Sequence, residues 1–278
     1  MFSYIYSYNG YSNSSLTYST IARKNFMSKN NRSRGKRIIV QTAPNLETEN
    51  FDEMSDGTLF KNINRKLRVS FRNESQRKFW ELIDNNEIIL CVGPAGTGKS
   101  YLSVAKALKL LTDESNKYKR ILVVKPVVEA DEKLGALPGT VEEKLEPYSY
   151  STKLIIEKIV GRRRAEKLLE RKIVEFTALA YLRGVNIDNT VLVFEEGQNS
   201  TKRQMKTLLT RIGENCKFIC SGDLEQSDRY KDQKDSGLFL AIDKLNKIDG
   251  IATFQFKPED IVRNPLIGKI LERLNGDV

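Results

Sequence analysis

The sequence contains no histidine, and only three of its 278 residues are cysteines. Without imidazole, neither a Ser-His-Asp triad nor a Cys-His pair can form, and histidine-ligated metal sites are excluded. The cysteines, Cys91, Cys216 and Cys220, lie in or beside apolar runs, which predicts buried, reduced thiols. Their odd number and the lack of a recognisable secretion signal favour a reducing compartment, so we expect a cytoplasmic location.

Long apolar runs are also missing, because none approaches the roughly 18 residues of a membrane-spanning helix. Acidic residues are absent from positions 1–46, which contain seven Lys or Arg, whereas the rest of the chain has 39 basic and 36 acidic side chains. This composition predicts a disordered basic arm and linker over residues 1–66 and a folded domain over 67–278. The arm suits either phosphate binding or a solvated tail, and both interpretations stay open.

The pattern G-x-x-x-x-G-K-[ST], typical of a phosphate-binding loop, is present at Gly93–Ser100. Its glycines let the backbone approach a phosphate, and the loop N–H groups form an anion site with the start of the next helix. An apolar run before the loop predicts a strand, and helical spacing after it predicts a helix. Lys99 is expected to reach the β- and γ-phosphates, and Ser100 to ligate Mg²⁺. The predicted ATP-binding residues of this loop are Gly93, Pro94, Ala95, Gly96, Thr97, Gly98, Lys99, Ser100 and Tyr101.

A second chemical pattern is the apolar run 191–194 followed by two carboxylates, Glu195 and Glu196. A strand delivers such residues to the carboxyl edge of an α/β sheet, where ligands bind. Glu195 is predicted to hold Mg²⁺, directly or through water, and Glu196 to orient and deprotonate the attacking water. The alternative is an acidic strand end before a helix cap. Gln76, ahead of the loop, suits either an adenine contact or the polar face of a helix, and Arg162–Arg164 stays ambiguous.

Taken in order, these motifs resemble the PhoH family, P-loop ATPases related to superfamily 1 helicases. The resemblance covers about residues 67–275. Besides the loop and the paired carboxylates, it rests on Leu134–Gly139, Glu143-Lys144, Pro147-Tyr148, Tyr181–Gly184, Gln198-Asn199, Leu209–Gly213, Gly222-Asp223 with Gln226, and Val262–Leu266.

The resemblance implies one RecA-like α/β domain, with a mostly parallel sheet and helices on both faces. It also implies that Gln76 reads the adenine edge, that Gln226 senses the γ-phosphate and that Arg263 stabilises charge in the transition state. The chain departs from the family at Glu195, where Asp is typical, and at Lys125, where Arg is frequent. The longer acid is expected either to crowd the Mg²⁺ shell or to ligate the ion directly where Asp would act through water, and lysine lacks bidentate phosphate geometry.

The predicted function is Mg²⁺-dependent ATP hydrolysis coupled to single-stranded RNA or DNA, as in a helicase or translocase. Two alternatives stay open: a nucleotide-dependent nucleic-acid-binding protein with weak hydrolysis, and a small-molecule kinase. Superfamily 1 helicases close the ATP site between two RecA-like domains, and this chain has room for one. We therefore expect a homo-oligomer in which a neighbouring subunit completes the site, such as a hexameric ring.

Overall fold

The computed structural model describes residues 53–115, 117–126, 141–262 and 273. All of them lie in the second of two units into which the chain divides, Glu49–Val278. The helices of this part are α1 (Asp56–Lys66), α2 (Glu74–Asn85), α3 (Lys99–Leu111), α4 (Val141–Val160), α5 (Arg162–Glu170), α6 (Lys202–Leu209) and α7 (Gly237–Leu245). Its strands are β1 (Ile88–Val92), β2 (Arg120–Lys125), β3 (Val174–Ala178), β4 (Thr190–Phe194), β5 (Lys217–Gly222) and β6 (Ile251–Gln255).

The six strands form one sheet in the order β3-β2-β4-β5-β1-β6, and every neighbouring pair is parallel. Parallel neighbours require crossover connections, which place helices on the two faces of the sheet. The predicted RecA-like α/β fold is therefore confirmed. Strand β5 lies between β1, which leads into the phosphate-binding loop, and β4, which ends before Glu195. The segment after β5 thus emerges between these two motifs.

Two apolar layers cover the sheet. Alternating side chains of β4 show the division, since Val191 and Val193 pack in one layer, and Leu192 and Phe194 in the other. The first layer includes residues of α1 to α5, and the second includes residues of α6 and α7. Helix α3 contributes most to the first layer, because seven of its apolar or small side chains are buried between the sheet and α2 or α4.

Helix α1 lies in the segment that the sequence assigned to the linker. Its N-cap is Ser55, whose hydroxyl accepts from the N–H of Thr58, and its buried face carries Leu59 and Ile63, each 1% exposed. Burial of two such side chains stabilises a fold by about 1.5–3 kcal/mol each. The folded part therefore begins before residue 67, and one i, i+4 apolar pair in a polar stretch was too weak a pattern to show it. The basic arm at 1–46 lies outside the described residues.

Hydrophobic spacing in the sequence also predicts helices over 151–170, over 201–212 and from about Leu266 to Leu274. In the structure the first of these is divided into α4 and α5, because Gly161 adopts a left-handed φ of +86°. Helix α6 ends at Leu209 rather than at Ile212, and the sequence pattern did not predict α7. The helix from about Leu266 to Leu274 lies, apart from Arg273, outside the described residues.

Candidate nucleotide-binding site

A cleft of about 680 Å³ opens at the carboxyl edge of the sheet. This volume is in the range of small-molecule sites in proteins. The cleft is lined by loop residues Ala95, Gly96, Gly98, Lys99, Ser100 and Tyr101, by Glu196, by Ser221 and Gly222 at the end of β5, by Asp223 and Gln226 after it, and by Ser70, Arg72, Gln76, Leu102, Ile155, Lys158 and Val262. The sheet order therefore brings together the loop, one of the two strand-end acids and the segment after β5.

The phosphate-binding loop depends on its glycines. Gly93, Gly96 and Gly98 have φ angles of 149°, 91° and 94°, which side-chain-bearing residues rarely adopt. A Cβ at Gly93 would lie 2.6 Å from the Cβ of Phe256, so the strand β6 side of the loop has no space for one. Helix α3 begins directly after Gly98 without a side-chain cap. Its first N–H groups are thus available to an anion, which is how helix starts bind phosphate.

The side chain of Lys99 bonds back to the first residues of this loop. Its Nζ donates to the carbonyl oxygen of Gly93 at 2.5 Å and to that of Pro94 at 2.8 Å. Thr97 is fully buried, and its hydroxyl also donates to Pro94 O, at 3.1 Å. The loop is thereby held in a curled conformation by its own side chains, with Ser100 and Tyr101 at the wall of the cleft.

Gln76 connects α2 to the same loop. Its Nε2 donates to Thr97 O at 2.9 Å, and its Oε1 accepts from the N–H of Arg72 at 2.9 Å. A Cβ at Gly98 would lie 2.9 Å from Nε2, so the close approach of α2 to the loop also requires glycine there. A primary amide has two N–H groups and two acceptor lone pairs, and these contacts use one of each. One hydrogen and one lone pair are left for a ligand in the cleft.

The two strand-end acids point to different surroundings. Glu196 lines the cleft and has a left-handed φ of 55°. Glu195 is 2% exposed and does not line the cleft. Its Oε2 accepts from the hydroxyl of Thr152 on α4 and lies 3.1 Å from the ammonium nitrogen of Lys125. Both residues follow the last residue of β4, so the contacts of Glu195 with Thr152 and Lys125, together with the left-handed backbone of Glu196, account for this difference.

Gln198 is a residue of the site to which the sequence analysis gave no role. Its Nε2 donates to Glu196 Oε2 at 2.7 Å, and its Oε1 accepts from the N–H of Asp223 at 3.0 Å. A Cβ at Gly222 would lie 2.6 Å from this Oε1, so the glycine admits the amide between the two segments. Next to it, Asn199 accepts from the N–H of Asp228 at 3.0 Å. The family motif contained both residues, but only the fold shows what they contact.

Gln226 lines the cleft, and its N–H donates to Asp223 O at 3.1 Å. Arg263 lies outside the described residues. The residue before it, Val262, lines the cleft and donates its N–H to Gly96 O at 3.0 Å. The sequence also missed two basic side chains of the cleft wall, Arg72 and Lys158, because neither belongs to a motif.

The three thiols are buried and free, as the sequence predicted. Cys91 lies in the strand that feeds the phosphate-binding loop; burial raises its pKa, and the charge of Lys99 partly opposes the rise. Burial also raises the pKa of Cys220, and it raises the pKa of Cys216 to about 12. These thiols therefore stay protonated near neutral pH and supply no nucleophile to the site.

The donors of the cleft suit a magnesium nucleotide. The described residues contain no group of three or more His, Cys, Asp or Glu side chains that could hold a metal. In P-loop sites the ion takes its ligands from a loop hydroxyl, a carboxylate, water and the phosphates, so no such group is needed. Ser100 supplies such a hydroxyl in the cleft wall, and Glu195 and Glu196 are the carboxylates that follow β4. Glu195, with its carboxylate engaged by Thr152 and Lys125, is less suited to direct ligation.

No helix within the described ranges is long and apolar enough to cross a bilayer.

The similarity of this chain to solved structures is weak. The large terminase of a thermophilic bacteriophage is 12% identical with a TM-score of 0.44, and the alignment covers 76% of this chain and 52% of the terminase. Pif1 helicase from Candida albicans is 16% identical with a TM-score of 0.38, and the alignment covers 75% of this chain and 44% of the helicase. The fold assignment accordingly rests on the strand order and the motifs above.

Sequence relatives are much closer. PhoH-like protein of Bacillus subtilis (strain 168) is 38% identical over 233 residues, which cover 84% of this chain and 72% of that protein. PhoH-like protein of Mycobacterium leprae (strain TN) is 37% identical, covering 76% of this chain and 59% of its own length. Protein PhoH of Escherichia coli (strain K12) is 36% identical, and the alignment covers 72% of this chain and 56% of that protein. The chain thus spans little more than half of the last two relatives. A family model described as PhoH-like protein matches residues 68–275, and the chain therefore belongs to the PhoH family.

Proposed function

We propose that this PhoH-family chain hydrolyses ATP with Mg²⁺ and couples hydrolysis to single-stranded RNA or DNA. The observation that carries the proposal is one cleft lined both by residues of the phosphate-binding loop, among them Lys99 and Ser100, and by Glu196. Strand β5 separates the strands that lead to these two motifs, and we propose that a terminal phosphate and a water bind between them.

The loop provides the binding part of this reaction. Its N–H groups and the start of α3 bind the phosphates, and Lys99 leaves the Gly93 and Pro94 carbonyls to bind the β- and γ-phosphates. Ser100 is the proposed Mg²⁺ ligand from the loop, and Glu195 is proposed to act on the ion through water. Magnesium supplies neutralisation of phosphate charge. Gln76 offers its remaining hydrogen and lone pair to the adenine edge.

Glu196 is the proposed general base. It lies in the cleft with one carboxylate oxygen held by Gln198, which fixes its orientation toward a water at the terminal phosphate. Positioned general bases contribute roughly 10²–10⁴ in rate. Gln226 is proposed to sense the γ-phosphate, and Arg263 to stabilise charge as it develops.

The decisive experiment measures phosphate release from ATP and Mg²⁺, with and without oligo(U) or oligo(dT). Glu196→Gln removes the base and keeps the size of the side chain, so we expect loss of at least about 100-fold in kcat with ATP still bound. Glu81→Gln makes the same change at an exposed position of α2 and is the matched control. Wild-type hydrolysis that survives Glu196→Gln unchanged would contradict the assignment of the base.

A second candidate function is nucleotide-dependent binding of nucleic acid with weak hydrolysis. The engagement of Glu195 by Thr152 and Lys125 favours it, because a carboxylate bound by its own protein is a poor partner for Mg²⁺. ATP-dependent binding of an oligonucleotide without phosphate release above the Glu196→Gln background would establish this second function.

The proposed assembly is a homo-oligomer in which a neighbouring copy completes the cleft. The described cleft has its opening at the sheet edge, and the described residues form one RecA-like domain, where superfamily 1 helicases use two. Light scattering with ATP and oligo(U) tests this, since a monomer under both conditions would refute it.

A further inference from the structure

A second cleft lies at the end of the edge strand β3. It has a volume of about 260 Å³ and separates the 3₁₀ turn Leu179–Leu182 from helix α6. Its walls are formed by Leu179, Ala180, Arg183, Arg203, Gln204 and Thr207. Because all strands are parallel, this cleft opens at the same carboxyl edge of the sheet as the nucleotide site.

The charged residues that line this cleft are both arginines. Segments 179–187 and 199–213 contain five basic side chains and no Asp or Glu. Arg183 and Arg203 are both exposed, and neither forms an ion pair or side-chain hydrogen bond within the part of the chain that the structure describes. Two guanidinium groups that share a cleft and have no acid to neutralise them are suited to phosphate groups.

An exposed aromatic residue lies two positions before Arg183 in the chain. Tyr181 is 51% exposed in the turn that ends before Arg183, and Val185, 44% exposed, follows it. Because about half of its surface is exposed, Tyr181 gains little stabilisation from packing in the core. Aromatic rings beside basic groups bind single-stranded nucleic acid, because each base has a face that stacks on a ring whatever its sequence. We name the set Tyr181, Arg183, Arg203 and Gln204 the arginine patch.

The arginine patch is connected to the nucleotide site through the chain. Helix α6 begins at Lys202, shortly after Glu196, and Thr201 and Gln204 cap it by exchanging two hydrogen bonds of 2.8 and 3.0 Å. Gln204 therefore both fixes the start of α6 and lines the second cleft. A ligand in this cleft contacts the helix that follows the proposed base.

We propose that the arginine patch binds a single strand of RNA or DNA, with Arg183 and Arg203 on two phosphates and Tyr181 stacked on a base. This rests on the proposed function, since it names where the nucleic acid of the same ATPase binds. Bound strand and ATP then lie at the same carboxyl edge of the sheet, and α6 begins between the proposed base and the second cleft.

The test measures the binding of fluorescein-labelled 12-mers of oligo(U) and oligo(dT) to the full chain by fluorescence anisotropy, over a range of salt. In the Arg183→Gln/Arg203→Gln variant we expect Kd to rise at least 10-fold. We also expect the slope of log K against log salt to fall by roughly 1.4, at about 0.7 per phosphate contact on a single strand. Tyr181→Ser should raise Kd by roughly 5- to 100-fold, the range for one stacked base, without a change in the slope.

Arg162→Gln/Arg163→Gln is the matched control, because it removes two exposed charges from α5, on the opposite face of the sheet. Unchanged Kd and slope in the Arg183/Arg203 variant, an equal loss in the control, or no binding of either 12-mer by the wild type would each overturn the proposal. An effect confined to oligo(U) would support it with RNA as the ligand, and one confined to oligo(dT) with DNA. The two proposals can fail separately. If the wild type binds the 12-mers through the arginine patch but releases no phosphate from ATP, the proposed ATPase activity is refuted and the proposed binding site is supported.

Discussion

The amide nitrogen of Gln198 lies 2.7 Å from Oε2 of Glu196 and donates a hydrogen bond to it. The other end of the same amide accepts from the backbone of Asp223, in the segment that carries Gln226. The amide is 1% exposed, so water does not replace either contact. One side chain thus orients the proposed base relative to the proposed γ-phosphate sensor.

Replacing Gln198 by alanine is therefore expected to lower kcat for ATP by about 10- to 100-fold, as small misplacements of a catalytic group do. The Kd for nucleotide should stay within about threefold, because Gln198 does not line the cleft. Phosphate release and equilibrium binding measure the two effects separately. Gln233→Ala, at an exposed turn, is the control. Equal changes in kcat and Kd would mean that Gln198 maintains the whole site and does not specifically orient Glu196.

The buried pair of Lys125 and Glu195 predicts a stability effect that is non-additive. Their side chains are 16% and 3% exposed, so Lys125→Met leaves a buried carboxylate with the Thr152 hydroxyl as its remaining partner. We expect a loss of about 3 kcal/mol in the free energy of unfolding. The double variant Lys125→Met/Glu195→Gln should recover at least half of that loss. A denaturant-unfolding double-mutant cycle checks this, and additive losses would show that the ion pair is not coupled.

Lys217 predicts a second stability effect, far from the cleft. At the start of β5, its ammonium donates to the carbonyl oxygens of Ile83 at 2.5 Å and Asn86 at 2.5 Å, at the end of α2. Burial lowers its pKa, yet the charge at a helix C-terminus is favourable. Lys217→Met removes these bonds and should cost about 2–3 kcal/mol of unfolding free energy. Lys206→Met, on the exposed face of α6, should change the unfolding free energy by less than about 0.5 kcal/mol.

The thiol of Cys216 predicts a dependence of stability on pH. Its pKa is raised from 9.0 to about 12, with burial as the main cause and the charge of Asp188 second. Between these values the unfolded chain has lost the proton and the folded chain has kept it, so stability falls as pH rises. Well below pH 9 the thiol is protonated in both the folded and the unfolded chain, so it causes no change of stability with pH there. We expect the loss in unfolding free energy from pH 9 to 11 to be smaller in Cys216→Ala than in the wild type, by at most about 1.4 kcal/mol per pH unit. Identical slopes would contradict the shift.

The reactivity of all three thiols gives a prediction at a single pH. Because Cys91, Cys216 and Cys220 are buried, the folded protein should react with a thiol reagent such as DTNB much more slowly than the protein unfolded in guanidinium. Absorbance after mixing counts the reacting thiols in each state. Rapid reaction of one thiol in the native protein would show that its surroundings open readily.

Much of the fold and part of the site follow from the sequence, for identifiable reasons. The phosphate-binding loop is local: its glycines, strand and helix are contiguous, so a single short stretch of the chain contains the whole pattern. The sequence assigned separate roles to Glu195 and Glu196, but it could not show that only Glu196 lines the cleft, because the burial of Glu195 depends on the packing of α4 against the sheet. The contacts of Gln198 could not be predicted either, since the order of the strands in the sheet brings it to Asp223.

Boundaries were the weakest part of the sequence prediction. Helix α1 has a polar composition and two buried side chains, so its pattern is close to that of a linker. The break at Gly161 and the end of α6 at Leu209 depend on single backbone conformations that hydrophobic periodicity does not encode.

The phosphate-binding loop is tied to the rest of the protein from both directions along the chain, through Gln76 to Thr97 O and through the N–H of Val262 to Gly96 O. These two tethers come from opposite ends of the folded part and attach to neighbouring residues of the loop. A chain shortened to end before Val262, or to begin after Gln76, would therefore keep every residue of the loop motif and lose one of its anchors. Binding of a nucleotide to the loop should therefore slow hydrogen exchange at the N–H of Val262. The exchange rate of this one amide, far from the loop in sequence, then reports whether a nucleotide is bound.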